Sequence, residues 1–326
     1  MENLKASIVI ANFNGKVLLE KNLPSVIEAV QFDEGEHEII VIDDGSKDDS
    51  REFIKKNFPQ IKLIELGEQK GTIAVHNTGI KESQNDMIVF LDNDVEVKKD
   101  FLHPLLNHFK DKRIFAVNSR MLPGNNRNFA GGGRMGAIFK WGFVWDHLDV
   151  DNGKIDAITQ AFCVSTGGSA FSRIKLLELG GFDELFRPLY WDDADLSYRA
   201  WKRGWISLYE PKSVVYHSYG GTMNKILAAG SREFIHRRNT FLFIWKNISD
   251  KSLLLKHFFF LPFFLIIALF TGRPYFTISF FASLGRLKDC LKKRALAKKR
   301  ARLSDKEVFK LLSQPDYFRK IYLGNN

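Results

Sequence analysis

The chain has 326 residues, 45% of them hydrophobic and 26% charged, a balance that excludes a disordered, collagenous or low-complexity polypeptide and predicts a packed core. Its two cysteines, Cys163 and Cys290, exclude a disulfide framework or a cysteine-based zinc module and fit a reducing compartment. A net charge of +10 suits nucleic acid, an anionic membrane or phosphorylated substrates; nine basic residues between Arg286 and Arg302 against Asp289 alone carry most of it.

The start, Met1 to Ser7, holds Glu2 and Lys5 and has no apolar run of signal-peptide length, so export is not expected. The next ninety residues alternate strand-like runs with amphipathic helical periods: Ser7 to Ala11, Leu18 to Val30, Glu38 to Ile42, Asp49 to Asn57, Ile61 to Leu66, Thr72 to Lys81 and Met87 to Leu91. Such alternation predicts an α/β fold with a mostly parallel central sheet and helices on both faces. Ligands in such sheets gather at the carboxyl ends of the strands. Those ends read Asn12-Phe13-Asn14, Asp43-Asp44-Gly45-Ser46 and Asp92-Asn93-Asp94. Neither a Gly-x-Gly-x-x-Gly fingerprint after the first strand nor a P-loop is present, which disfavours a dinucleotide dehydrogenase or a P-loop NTPase.

The stretch Asn118 to Asp156, rich in Gly, Asn and aromatics, has no clean period and reads as loops or irregular strand lining a site. From Leu253 the character changes. Phe258 to Gly272 and Pro274 to Gly285 are uncharged runs of 15 and 12 residues; each is shorter than a membrane span, and Pro262 is expected to kink the first. A helical hairpin lying in one leaflet is predicted, with the following basic segment at headgroup level. The alternative is that these helices pack on the preceding domain and the charge run is a solvated face.

Period-2 alternation places Asp92 and Asp94 on one face at a strand end, where paired carboxylates suit Mg²⁺ or Mn²⁺; an Asx turn or helix cap gives the same letters. Asp43 and Asp44, at another strand end, suit a nucleobase N–H or a ribose hydroxyl. His217 follows a further strand-like run and, alone, reads more readily as a structural histidine than as a functional one. Trp141, Trp145 and Trp191 read either as sugar-stacking rings or as core anchors. Arg232, His236, Arg237, Arg238 and Asn239 suit phosphates or the wet face of a helix.

Taken in order, Ser7 to Gly15, Val41 to Ser46, Asn77-x-Gly79, Phe90 to Asp94, Gly180 to Glu184, Trp191 to Arg199 and Arg203-Gly204-Trp205 resemble family 2 glycosyltransferases, nearest to a rhamnosyltransferase-like bacterial branch. The resemblance covers roughly residues 5 to 250. It implies a GT-A fold and inverting transfer from a nucleotide-diphosphate sugar. Carried onto this chain, Ala11, Phe13, Asp43 and Asp44 would hold the nucleoside, and Asp92 the ribose and diphosphate. Asp94 and His217 would hold the metal, Lys70 would stand near the diphosphate, and Asn77 belongs to a matching helix counted with the substrate-binding set. Asp193 would be the general base, with Trp191 and Asp192 at the acceptor; Asp192 stands where glutamate is common.

The chain therefore divides at residue 250 into a catalytic domain, 1–250, and a membrane-associating extension, 251–326. The expected partners are a nucleotide-diphosphate sugar, a glycan or lipid-linked acceptor and an anionic membrane surface at the cytoplasmic face of the inner membrane; nucleic acid is not expected. The competing readings are a nucleotidyltransferase, which should carry a Gly-rich basic loop after the first strand, and an inactive or purely anion-binding protein, against which the intact acids Asp92, Asp94 and Asp193 speak.

Overall fold

The computed structural model describes residues 4–33, 35–124, 132–150, 156–218, 228–272 and 274–323. The amino-terminal alternation forms as the periods predict: β1 (Ala6–Asn12), α1 (Lys16–Phe32), β2 (Glu38–Asp43), α2 (Ser50–Asn57), β3 (Lys62–Glu65), α3 (Thr72–Glu82) and β4 (Met87–Asp92). Ile8, Val9, Ile40, Val41, Ile88, Val89 and Phe90 are all but inaccessible, the signature of parallel strands covered on both faces. Next come β5 (Val95–Val97), α4 (Leu102–Asn107), β6 (Ile114–Pro123), β7 (Gly132–Lys140), β8 (Phe143–Val150), β9 (Thr159–Gln160), β10 (Ser169–Ser172), α5 (Arg173–Leu179), α6 (Asp192–Lys202) and β11 (Ile206–His217). The carboxyl-terminal part holds α7 (Ala229–Asn247), α8 (Lys251–Phe270), α9 (Pro274–Leu284), α10 (Leu287–Arg300) and α11 (Asp305–Ser313).

The main sheet runs β3-β2-β1-β4-β10-β6-β11-β5, with β9 also paired to β11. Strands β3, β2, β1 and β4 are parallel neighbours, whereas β10 is antiparallel to both β4 and β6. Two reversals restore the direction, and β11 is parallel to β6. The carboxyl ends of β1, β2, β4, β6 and β11 thus open on one edge of the sheet, which is where the chemistry-bearing residues collect.

The aperiodic middle is more regular than its composition suggests. Its first part extends β6 to Pro123, and β7 and β8 form a separate antiparallel hairpin turning at Trp141 and Gly142, both with positive φ; Gly131 lies outside the described residues. Residues Trp141 and Trp145 are half exposed on it, and the Trp145 indole donates to the Lys140 carbonyl at 2.9 Å.

The apolar run after Leu253 differs from expectation. Rather than a run shorter than a membrane span, α8 is one helix of 20 residues with Pro262 inside it, long and apolar enough to cross a membrane. Lys251, Lys256 and His257, which precede the uncharged run from Phe258, lie within its first two turns. One stripe of it, Leu253, His257, Leu261 and Ala268, is buried, while Phe259, Phe263, Ile266 and Phe270 are exposed, a spacing of three to four residues that gives the helix two faces. The inner face grips the β7–β8 turn: His257 Nε2 accepts from the Trp245 indole at 3.0 Å, which leaves Nδ1 to donate to the Gly142 carbonyl at 2.7 Å. A Cβ on Gly142 would stand 2.7 Å from the His257 Cα, so only glycine permits this approach.

Beyond residue 250 the chain returns to the core of the preceding residues. Asp305 is buried and receives the Tyr198 hydroxyl at 2.7 Å, the Lys202 ammonium at 2.7 Å and the backbone N–H groups of Ser249 and Asp250 at 2.6 Å each. Val308, Phe309, Leu311 and Leu312 of α11 join the main apolar core.

Candidate active site

At the carboxyl end of β4, the antiparallel pairing of β5 with β11 sets His217 opposite Val95. The Asp94 carbonyl receives the Ser218 N–H at 3.2 Å, and His217 Nε2 stands 3.1 Å from Asp94 Oδ1. Asp92, Asp94 and His217 each offer a ligand atom within 4.8 Å of the others. Burial, and then the charge of Asp94, pushes the Asp92 carboxyl up to about 6. Burial pulls the His217 imidazole down, but its hydrogen bond to Asp94 and the negative charge of both acids override this and hold it above its ordinary value. Two crowded carboxylates and one imidazole form a donor set that suits a divalent cation such as Mg²⁺ or Mn²⁺, whose charge would relieve their repulsion. Small residues keep the approach open: a Cβ on Gly167 would come within 3.1 Å of Asp92 Oδ2.

The neighbouring strand ends are tied to this cluster. Asn93 Nδ2 donates to Asn12 Oδ1 at 2.8 Å, and Asn12 Nδ2 donates to Asp43 Oδ2 at 3.0 Å. Asp43 also receives the Ser46 N–H at 2.9 Å. Asp44 accepts from the N–H groups of Lys70 and Gly71 at 2.7 and 2.9 Å, clamping the entry to α3; burial nevertheless raises its carboxyl above the usual range. Each carboxylate keeps lone pairs beyond these bonds. Ala11 and Phe13, both half-buried, flank the same edge, and the Lys70 side chain is exposed beside it. Gly45 is required here, because its φ is +75° and a Cβ would meet the Glu68 backbone at 2.6 Å.

The second acidic group heads α6. Asn239 Nδ2 donates to the carbonyls of Phe186, Leu189 and Tyr190 at 2.7 to 2.9 Å, so α7 fixes the loop in which Tyr190 and Trp191 adopt positive φ. That loop delivers Asp192 and Asp193 to the first turn of the helix, where the macrodipole favours acids. Burial dominates both carboxyls all the same: Asp192, with the charge of Asp193 beside it, is pushed up to about 8, and Asp193 is raised too. The Cys163 thiol donates to Asp193 and opposes the rise, whereas the charge of Asp146 on β8 adds to it.

Several expected residues occupy other positions. Asn77 spends its amide on the protein itself, Nδ2 donating to the Phe182 carbonyl and Oδ1 accepting the Phe182 N–H at 2.9 and 2.8 Å. Its side chain thus locks α3 to the turn before α6, a packing role in place of the expected substrate contact. Trp191 is only 5% exposed, its ring 4.8 Å from that of Phe243, so it packs as an anchor at the start of α6 with little ring face open to a sugar. Arg238 donates to the Arg187 carbonyl and Arg237 pairs with Glu233 at 2.8 Å, which removes these two from the suggested phosphate cluster. Tyr219 to Thr222, beside His217, lie outside the described residues. Sequence reasoning passed over Asn93, Cys163 and Asp146. Asn93 sits between two acids that drew all the attention, and the other two reach Asp193 from 30 and 47 positions away in sequence, a distance no local pattern spans.

The comparisons with known proteins agree with this geometry. A "Putative polypeptide N-acetylgalactosaminyltransferase 10" of Drosophila melanogaster is 28% identical over 257 residues, 73% of this chain and 40% of that protein. The chain spans well under half the length of the first curated relatives it matches. The "GalNAc(5)-diNAcBac-PP-undecaprenol beta-1,3-glucosyltransferase" of Campylobacter jejuni is 28% identical over 222 residues, 65% of this chain and 62% of that enzyme. Among solved structures, S. aureus TarS 1-349 in complex with UDP-GlcNAc superposes with a TM-score of 0.58 at 14% identity, over 97% of this chain and 92% of that one. GalNAc-T7 with UDP, GalNAc and Mn²⁺ gives 0.57 at 20% identity, over 76% and 48%. These likenesses establish the GT-A fold. The model of "Glycosyl transferase family 2" matches residues 7–173, just over half the chain, and with the acids of that segment brought together at the strand ends, the chain belongs to that family.

Proposed function

We propose that the protein is an inverting, divalent-cation-dependent glycosyltransferase that moves a sugar from a nucleotide-diphosphate donor to a hydroxyl of a glycan or lipid-linked acceptor in bacterial surface-glycan synthesis. The observation that carries the reading is the cluster of Asp92, Asp94 and His217 at the common edge of the sheet, in a chain of this family. In support, GalNAc-T7 is seen with UDP, GalNAc and Mn²⁺ and TarS with UDP-GlcNAc, and the Campylobacter relative is named for an undecaprenol-linked glycan.

In this reading Ala11, Phe13, Asp43 and Asp44 receive the nucleoside, and Asp92, Asp94 and His217 hold the cation. A cation bound there supplies charge neutralisation on the departing diphosphate. Asp193, raised above the ordinary carboxylate range, accepts the proton of the acceptor hydroxyl as its oxygen bonds the anomeric carbon. The bond from that carbon to the diphosphate oxygen breaks on the opposite face, and its electron pair leaves with the nucleotide. A base whose pKa is lifted towards neutrality is better matched to a hydroxyl proton. The exposed face of α8, with α9 and the basic α10, rests on an anionic membrane at the cytoplasmic face, where lipid-linked acceptors would be presented.

Calorimetric titration of UDP, dTDP and GDP and their sugars, with and without Mn²⁺, tests the reading on wild type and Asp94→Ala. Binding of one diphosphate nucleotide that needs Mn²⁺ and disappears in Asp94→Ala is expected. Absence of binding to every member of the panel overturns it.

A further inference from the structure

A cavity of 480 Å³ lies between the Leu179–Glu184 turn, the carboxyl-terminal half of α6 and helix α10. It is distinct from the strand-end carboxylates, none of which lines it. Its inner wall is electrically settled: Lys246 bonds Asp183 and Asp195 at 2.6 Å, Lys202 bonds Asp305 at 2.7 Å, and Arg199 bonds Asp195 at 2.7 Å. The rim is not. Arg203 reaches the half-exposed Glu178, its carboxylate at 3.4 Å and its backbone carbonyl at 3.2 Å, and stacks 5.1 Å over the Trp205 ring. Arg300 reaches a backbone carbonyl of the same residue at 3.1 Å, and Lys298 has no ion-pair partner among the described residues. Burial, and then the positive charge of Arg300, holds the Arg203 guanidinium below its ordinary value, with Arg199 and Arg302 adding to the repulsion.

We propose that this cavity is a second, metal-independent site that binds a phosphate-bearing anion through Arg203, Lys298 and Arg300. Arg203, Lys298 and Arg300 line one cavity, where Glu178 pairs with Arg203 and the lining Glu184 pairs with Arg187 at 3.7 Å; this leaves a positive surplus that one carboxylate ligand would not use, whereas the three terminal oxygens of a phosphate group can accept from all three cations, two of them through planar guanidinium forks. The volume exceeds what a bare phosphate fills. Leu296, half exposed, lines the same cavity, and Leu291 is exposed one turn before it on α10. The helix follows directly on the apolar hairpin of α8 and α9. Cations and exposed leucines side by side fit the phosphate of an amphiphile, although the same cations would take a soluble diphosphate.

The test uses the full chain in EDTA, so that the cation-dependent donor site is silent, and titrates inorganic diphosphate and monomeric dihexanoyl phosphatidylglycerol by calorimetry. Both wild type and Asp94→Ala are expected to bind. The double variant Lys298→Gln with Arg300→Gln should lose at least tenfold in affinity, whereas Lys292→Gln with Lys299→Gln, which removes equal charge from exposed positions of α10 outside the cavity, should bind as wild type. Binding of both probes assigns the site to the phosphate group alone; binding of the lipid only assigns it to a lipid-borne phosphate. Silence with both probes, equal weakening of the two double variants, or loss in Asp94→Ala overturns the proposal.

Discussion

His217 Nε2 and Asp94 Oδ1 meet at 3.1 Å although 123 positions separate them in sequence, because β11 returns antiparallel beside β5, the strand that immediately follows Asp94. The metal-suited cluster is therefore built by two strands, and His217 is a member of it rather than a neighbour. His217→Ala is expected to weaken Mn²⁺ binding tenfold or more while leaving the fold intact, since it removes one of three ligands from a strand that is otherwise paired. Titration of Mn²⁺ followed by electron paramagnetic resonance reads the loss; an unchanged affinity would remove His217 from the site.

The Cys163 thiol gives a separate handle on the base. Its hydrogen bond holds the Asp193 carboxyl down against burial and the charge of Asp146. Asp193 must be ionised to accept a proton, so kcat/KM is expected to fall on the acid side at a pH above the ordinary carboxylate range. Cys163→Ala, lacking the donor, should shift that limb to higher pH, and Cys163→Ser, which restores one, should return it. A limb that stays in place in all three proteins would show that Asp193 does not set it.

A stability prediction concerns His76. Its ring lies 5.1 Å from both Phe90 and Phe182, and neither nitrogen has a hydrogen-bond partner among the described residues. Burial depresses the imidazole to about 4, below the unfolded value near 6.5. Protons therefore favour the unfolded chain as pH falls from about 6.5 to about 4, at up to about 1.4 kcal/mol per pH unit. His76→Phe should remove that slope and, by eliminating an unsatisfied buried polar group, add about 1 kcal/mol at pH 7. Urea denaturation at pH 7 and pH 5 measures both effects, with the gap between variant and wild type wider at pH 5.

The outer face of α8 carries the membrane reading. Phe259, Phe263 and Phe270 are exposed along one stripe, and burying each in the interface is worth about 2 kcal/mol. Replacing all three by serine should abolish co-sedimentation with phosphatidylglycerol vesicles and leave thermal unfolding unchanged, because the opposite stripe makes the contacts with the protein. Persistent sedimentation would mean that the basic helix alone supplies attachment.

The reach of the sequence followed the range of the forces involved. Asp43, Asp44, Asp92 and Asp94 were legible because a strand of period two, closed by an acid, announces both its direction and its end. Asn77 misled for a related reason: its helix matches a motif, but its amide is consumed by Phe182, more than a hundred positions onward. The length of α8 escapes a count that starts at the uncharged run from Phe258, while in a helix with two faces a charge near the end or a histidine turned inward interrupts nothing. The rim of Arg203, Lys298 and Arg300 needs two distant helices to be placed before it exists at all.

Asp305 has a bearing on how the molecule is made. Tyr198 and Lys202, on the helix that carries Asp193 in its first turn, are completed by a carboxylate that leaves the ribosome about a hundred residues after them. Synthesis from the amino terminus thus delivers the apolar stretch of α8 and α9 before the residue that closes the catalytic core. During that interval Lys202 has no counter-charge and the phenylalanines are already out, so an emerging chain meets lipid, or a chaperone, before it is a finished enzyme.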